Sequence, residues 1–397
     1  MGCSKKAENI TPSITLAITT KAKELSDAGV DVVSFGVGEP DFNTPKHIIE
    51  AAIKAMEEGK TKYTATPGIL ELRKAICNKF KKDNGLDYTP DQIVVSTGAK
   101  QCLANAFMSI LNPEDEVLVS SPYWVSYPEL IRLADGVPVI VETNKESNYK
   151  FNLELLNKYT TNKTKALVIN SPNNPTGTIY SKEEFNVIAD FAKEKDLIII
   201  ADEIYEKLIY DGEKHVSIAS ISEDSYKRTI VINGLSKAYA MTGWRIGYSA
   251  ASKEISKLMS SIQSHMSSNT NSITQYAAVA ALNGPEDEQK VMVQEFEKRR
   301  NYMLDRISKI KNISCIEPSG AFYVMINIEK FFGKTINDKR INNSVGFSSM
   351  LLEEENVAVV PGAGFGVDNY VRVSYATSME TIKKGLDRIE NFIKKIK

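Results

Sequence analysis

With 397 residues, 25% of them charged, and 49 Lys+Arg against 50 Asp+Glu, the chain carries a formal net charge of only -1. That balance excludes the long-range field that recruits nucleic acid or an anionic membrane, and no stretch approaches the roughly 18–20 unbroken apolar residues of a membrane span. A chain this long exceeds what one hydrophobic core usually serves, so two domains are expected, with a small molecule or another subunit as partner.

The N-terminus, Met1-Gly2-Cys3-Ser4-Lys5-Lys6, lacks the apolar core of a secretory signal, which predicts a cytoplasmic protein. Lys6 stands where a myristoylation pattern requires Ser or Thr. Cys3, Cys77, Cys102 and Cys315 are scattered and form no CxxC pair, and His47, His215 and His265 are isolated in sequence. Neither a disulfide framework nor a metal site is expected from them, nor a histidine-based triad. Chemistry must therefore run on Lys, Asp, Tyr and Arg.

From about 46 to 285, β-branched apolar runs alternate with helix-period segments, the pattern of a parallel sheet with crossover helices. Strands are predicted at 92–96, 116–119, 138–141, 166–170, 197–201, 229–233 and 247–250. Helices are predicted at 70–83 and at 181–195, the latter opening on a Ser181-Lys182-Glu183-Glu184 capping box. After Gly284-Pro285 a long polar helix, about 286–311, leads into strand signals at 321–328, 357–360 and 370–375. The expected fold is α/β: a large domain over 46–285 with a mostly parallel seven-stranded sheet, plus a smaller α+β domain. Residues 1–45 and 286–397 form that smaller domain, with 14–23 and 32–35 packing there rather than on the large sheet.

Open sheets of this kind bind ligands beyond the carboxyl ends of their strands, so residues at those ends carry the functional reading. Gly98-Ala99-Lys100 follows the first strand and opens a helix, where free backbone amides make a phosphate seat. Trp124 follows the second strand and could stack on a flat heterocycle, although most tryptophans simply pack. Asn174 lies in the turn Asn173-Asn174-Pro175-Thr176-Gly177 and offers an amide donor. Asp202 closes an apolar strand, and a carboxylate delivered there needs a cationic partner such as a protonated pyridine nitrogen. Tyr205 would face the same site. Lys237 comes just after the strand ending at Gly234, and Arg245 follows eight residues later. An amine beside a fixed anion clamp is what a phosphate-bearing aldehyde cofactor requires; two solvated loop charges are the bland alternative for this pair alone.

Taken together, these segments resemble the pyridoxal-phosphate-dependent aminotransferases of fold type I, class I. The likeness runs from Pro12-Ser13 to the C-terminal helix. It is carried by Gly38-Glu39-Pro40-Asp41-Phe42, Lys62-Tyr63, Ser121-Pro122-Tyr123-Trp124, Ser171-Pro172-Asn173-Asn174-Pro175-Thr176-Gly177, Asp202-Glu203-Ile204-Tyr205, Ser236-Lys237 with Met241-Thr242-Gly243-Trp244-Arg245-Ile246-Gly247, and Val371-Arg372-Val373-Ser374-Tyr375-Ala376. Within the class the chain most resembles the bacterial aspartate aminotransferases.

The resemblance implies pyridoxal 5'-phosphate as cofactor and a role for each matching residue. Lys237 would carry the cofactor covalently and shuttle the proton at the substrate Cα. Asp202 would pair with the ring nitrogen, Tyr205 and Asn174 with the ring oxygen, and Trp124 would stack on the ring. Ser236, Arg245 and the amides of Gly98, Ala99 and Lys100 would seat the phosphate, joined by Tyr63 from a neighbouring subunit in a homodimer. Arg372 would clamp the substrate α-carboxylate as a bidentate fork, with the Gly38 amide beside it. Lys100, together with Ser13 or Thr15, would meet an acidic side chain, which implies aspartate and 2-oxoglutarate as substrates. An aromatic or alanine aminotransferase, a β-lyase, or a non-catalytic cofactor-binding regulator are the alternatives on this scaffold. Relatives that also use prephenate carry a lysine just before the Pro-Ser pair, where this chain has Thr11; the resemblance therefore argues against that second activity.

Overall fold

The computed structural model describes residues 2–12 and 14–397, without the side chains of 14–17 and 19. Ser13 and the Thr15 side chain, both expected near the substrate, lie outside the described residues.

Seven strands form the main sheet: β1 (Ile93–Ser96), β2 (Glu116–Ser121), β3 (Val137–Glu142), β4 (Thr164–Asn170), β5 (Ile198–Asp202), β6 (Thr229–Gly234) and β7 (Gly247–Ala250). Their spatial order is β1-β7-β6-β5-β4-β2-β3, and every pairing is parallel except those of β7, which runs against both neighbours. Alternation splits each strand between two cores. Val94, Val117, Val119, Val168, Ile200 and Ile232 face one side, and Leu118, Leu167, Ile169 and Ile199 face the other. Burial on both faces is why these strands read as unbroken apolar runs in the sequence.

A second sheet of four antiparallel strands holds β8 (Ser314–Ile316), β9 (Tyr323–Asn327), β10 (Val360–Pro361) and β11 (Tyr370–Ser374), in the order β10-β11-β9-β8. Helix Asp287–Lys309 reaches this layer from the main sheet and contributes Phe296, Met303 and Ile307 to its core. Val33–Ser34 pairs in parallel with Val357–Ala358, and Ala22 packs against Leu352 and Ala358, so residues 22–34 belong with this layer, whereas Lys6 and Thr11 contact Leu133, Asp135 and Glu129 at the helix following β2.

Several expectations need correcting. The strand predicted over 357–360 is two short pieces, one paired with Val33–Ser34 and one in the four-stranded sheet; a run buried throughout hides the change of partner. The strand predicted from 321 begins at Tyr323, because Ala321 takes a left-handed φ of 59°. β8 and the hairpin Thr335–Ile336/Lys339–Arg340 carry no apolar alternation and were not expected. The helix predicted over 70–83 is α-helical through Lys79 and widens into a π turn over Phe80–Asn84. His215 is isolated only in sequence: its Nε2 lies 3.1 Å from Glu203 Oε2, and the pair sits with Glu206, whose carboxylate is bonded by the buried Lys79 ammonium.

Candidate active site

The carboxyl ends of β1, β2, β4, β5 and β6 point to one edge of the sheet. Because β7 runs the other way, its amino end lies at that same edge, with Gly247 registered between Ser96 and Gly234. Arg245 is thereby brought beside residues that follow β1 and β6. A cavity of about 410 Å³ opens there, walled by Gly38, Ala99, Lys100, Trp124, Asn174, Asp202, Tyr205, Ser236, Lys237, Arg245 and Arg372. The structure thus brings together residues drawn from a span of more than 330 positions.

Asp202 ends β5 and is buried, which pushes its carboxyl up to about 6 despite a 2.7 Å bond from the Tyr127 hydroxyl and a bond from the Ile204 amide. Asn170, at the end of β4, donates to the Asp202 carbonyl at 2.9 Å and accepts from the Asn174 amide at 2.8 Å, fixing the turn to the neighbouring strand. The Lys237 amine donates to the Gly38 carbonyl at 2.5 Å. Burial, opposed by Glu39 and Asp202 but reinforced by Arg372 and Arg245, brings its pKa down to about 8. Such an amine gives up its proton near neutral pH, as a nucleophile for an aldehyde must.

At the opposite wall, Gly98 caps helix Ala99–Ile110 at φ 88°, and a Cβ there would collide with the Arg245 guanidinium. Only glycine lets that cation sit against the helix N-terminus. Arg245 itself holds a left-handed φ of 53°, a strained conformation of the kind that clusters at functional sites. Lys100 points its ammonium over the Trp124 ring at 5.0 Å, and burial followed by the Arg245 charge lowers its pKa.

Arg372, on β11, is buried: Nη1 donates to Asn174 Oδ1 at 2.9 Å, Nη2 approaches the Gly36 carbonyl at 3.3 Å, and Nε has no partner. Tyr63 does not line the cavity and is 91% exposed. Tyr127, Asn170, Glu39, Thr242 and Tyr323 also line the site but were not anticipated. Tyr127 was within reach of sequence reasoning, lying three residues after Trp124, and Asn170, Glu39 and Thr242 sit at a predicted strand end or inside the motifs quoted above; Tyr323 carried no signal of its own.

The model of the aminotransferase class I and II family matches residues 30–389. The chain belongs to that family. It is 49% identical over 395 residues to aspartate aminotransferase of Bacillus subtilis, covering 100% of both chains. Among solved structures, aspartate aminotransferase from Rhizobium meliloti superposes with a TM-score of 0.96 at 39% identity, covering 100% of both chains. Aspartate aminotransferase from Thermus thermophilus with maleate gives 0.92 at 42%, covering 99% of this chain and 100% of that one.

The protein is accordingly a pyridoxal-phosphate-dependent aminotransferase acting on amino and 2-oxo acids. Its residues fit the cofactor. A buried carboxylate with a raised pKa suits a protonated ring nitrogen, an amine near pKa 8 suits an aldehyde, and the glycine-backed helix end with Arg245 suits a phosphate. Arg372 lines the same cavity with its Nε buried and without a hydrogen-bond partner. No described helix is long and apolar enough to cross a membrane.

Proposed function

We propose that the enzyme takes the amino group of L-aspartate, releasing oxaloacetate, and passes it to 2-oxoglutarate to give L-glutamate by a ping-pong mechanism. The observation that carries the acidic preference is Lys100, a cation on the wall of the same cavity that presents Arg372. Lys100 and Arg372, the two of the cavity's four cations not assigned to the cofactor, suit a dicarboxylate, and a solved relative was obtained with maleate.

Bound pyridoxal 5'-phosphate supplies the carbonyl that carries the amino group and a ring that accepts the electron pair of the Cα–H bond. Lys237 would bear the covalent attachment at rest and, once freed by substrate, would carry the proton between the substrate Cα and the cofactor carbon. Asp202 holds the ring nitrogen protonated, with Tyr127 orienting its carboxylate. Tyr205 and Asn174 steady the ring oxygen, Trp124 covers the ring face, and Ser236, Arg245 and the 98–100 amides hold the phosphate. Arg372 and the Gly38 amide grip the α-carboxylate, with Ser13 or Thr15 assisting Lys100 at the distal one. In this reading residues 46–285 form the cofactor-binding domain and 1–45 with 286–397 the smaller domain, joined to it through helix Asp287–Lys309.

The working unit in this reading is a cytoplasmic homodimer in which Tyr63 reaches the partner's cofactor phosphate. Support comes from exposed apolar residues: Ile49, Ile53 and Met56 lie along one stripe of helix Lys46–Glu57, near in sequence to the exposed Tyr63 and Leu70.

The test is an amino-donor panel with 2-oxoglutarate: aspartate, alanine, phenylalanine and cystathionine. Aspartate should give the highest kcat/KM, and Lys100→Ala should lower it for aspartate far more than for alanine. Equal loss on both donors would remove the acidic assignment.

A further inference from the structure

We propose that Tyr323 is a positioning residue with two separable jobs: its ring holds the Arg372 guanidinium in place, and its hydroxyl orients Tyr205. The inference rests on the roles proposed above for Arg372 and Tyr205.

The register places Tyr323 opposite Ser374 and Met325 opposite Arg372 on the antiparallel pair β9 and β11. Ser374 and Arg372 are two residues apart and share a face, so Tyr323 and Arg372 are diagonal neighbours on that face, within reach of an aromatic and a long side chain. The guanidinium carbon lies 4.2 Å from the centre of the Tyr323 ring and 4.9 Å from that of Phe365. Among the described residues, no Asp or Glu lies within ion-pair distance of Arg372, although its side chain is buried.

A buried cation needs compensation. A carboxylate would provide it, but would also occupy the fork and compete with the substrate. Aromatic faces attract the cation through their quadrupole and leave its N–H groups free. Two rings therefore hold Arg372 charged and positioned, with Nε still without a partner.

The other end of the same side chain reaches the cofactor side of the cavity. Tyr323 OH lies 3.0 Å from Tyr205 OH, and both are buried. Gly38 is the third element of this junction, since a Cβ built there would stand 3.1 Å from the Tyr323 hydroxyl. One residue thereby ties the carboxylate clamp, the ring-oxygen tyrosine and the N-terminal segment together.

The test uses holoenzyme and two readouts: the affinity for maleate, followed by the absorbance of the bound cofactor, and the pH midpoint of that absorbance without ligand. Tyr323→Phe should keep maleate affinity within about twofold and move the midpoint upward, in the direction given by Tyr205→Phe. Tyr323→Leu should move the midpoint likewise and also weaken maleate, and raise KM for the amino donor, by about tenfold. Phe365→Leu should weaken maleate without moving the midpoint. An unmoved midpoint in Tyr323→Phe overturns the inference, as does undiminished maleate affinity in Tyr323→Leu. If Arg372→Leu also kept full maleate affinity, the clamp assignment itself would be wrong and this inference would go with it.

Discussion

Arg372 Nη1 donates to Asn174 Oδ1 at 2.9 Å, joining the four-stranded sheet to the turn after β4. With its oxygen turned toward the guanidinium, the Asn174 amide presents its NH₂ group elsewhere in the cavity, as a donor to a ring oxygen requires. Asn174→Asp would replace that donor with a carboxylate able to pair with Arg372. The expected outcome is retained cofactor binding with KM for the amino donor raised by about a hundredfold, since a buried charge pair of a few kcal/mol must be broken for substrate to enter. Steady-state kinetics check this, and an unchanged KM would contradict it.

Lys237 has no substitute within the cavity. Arg372 and Arg245 cannot serve as amines, and Lys100 lies at the Trp124 wall. Lys237→Ala should therefore bind the cofactor noncovalently and lose about 10⁴-fold or more in turnover, the upper range for removing a positioned acid–base group. Borohydride reduction followed by tryptic mapping should label the peptide containing Lys237 in the parent and none in the variant. Equal labelling would place the covalent link elsewhere.

Asp202 illustrates a site built at the expense of stability. Its folded pKa of about 6 lies above the unfolded value of 3.8, so its favourable contribution is complete below about pH 4 and is lost as pH rises through 6. Keeping it ionised and buried at neutral pH costs up to about 3 kcal/mol in the cofactor-free protein, from about 2 pH units at 1.36 kcal/mol each. Cofactor-free Asp202→Asn should accordingly be more stable than the parent at pH 7.5, with the advantage fading between pH 6 and 4, while its transaminase activity collapses. Denaturant melts across this range provide the check; a variant less stable at pH 7.5 would show that Asp202 carries no such cost.

The large sheet was legible because its strands are buried on both faces: runs such as Ile198-Ile199-Ile200-Ala201 admit few other readings. Site residues at the strand ends were legible for a related reason, since Asp202 and Lys237 interrupt or follow apolar runs where packing alone would not place a charge. Tyr323 was not, because an aromatic on a buried strand looks like core until its hydroxyl is seen against Tyr205. Nor was the direction of β7, which decides that Arg245 reaches the site; a strand's sense is set by its connections and not by its composition. Lys79, Glu203, Glu206 and His215 were invisible as a group, because contact among them depends on a helix and a loop 136 positions apart and no local spacing records it.

That hidden group sets a pH-dependent part of the stability. The Lys79 ammonium meets Glu206 with both side chains 6% exposed, and Asn84 donates to the other Glu206 oxygen at 3.0 Å. Burial alone would push the Glu206 carboxyl up, but the charges of Lys79 and His215 and the bonds from Lys79 and Asn84 pull it down to about 2. Its stabilising contribution is therefore present above the ordinary value of 4.5 and is lost as pH falls toward 2. Lys79→Met leaves a buried carboxylate without its cation and should cost about 3–5 kcal/mol at pH 7.5, whereas Lys79→Met/Glu206→Gln, which removes both charges, should recover most of it. The single variant should regain part of its loss at pH 4.5, where protonating Glu206 relieves the unpaired charge. Urea denaturation of the three proteins at both pH values measures these differences, and a double variant no more stable than the single one would show that the pair matters through packing and not charge.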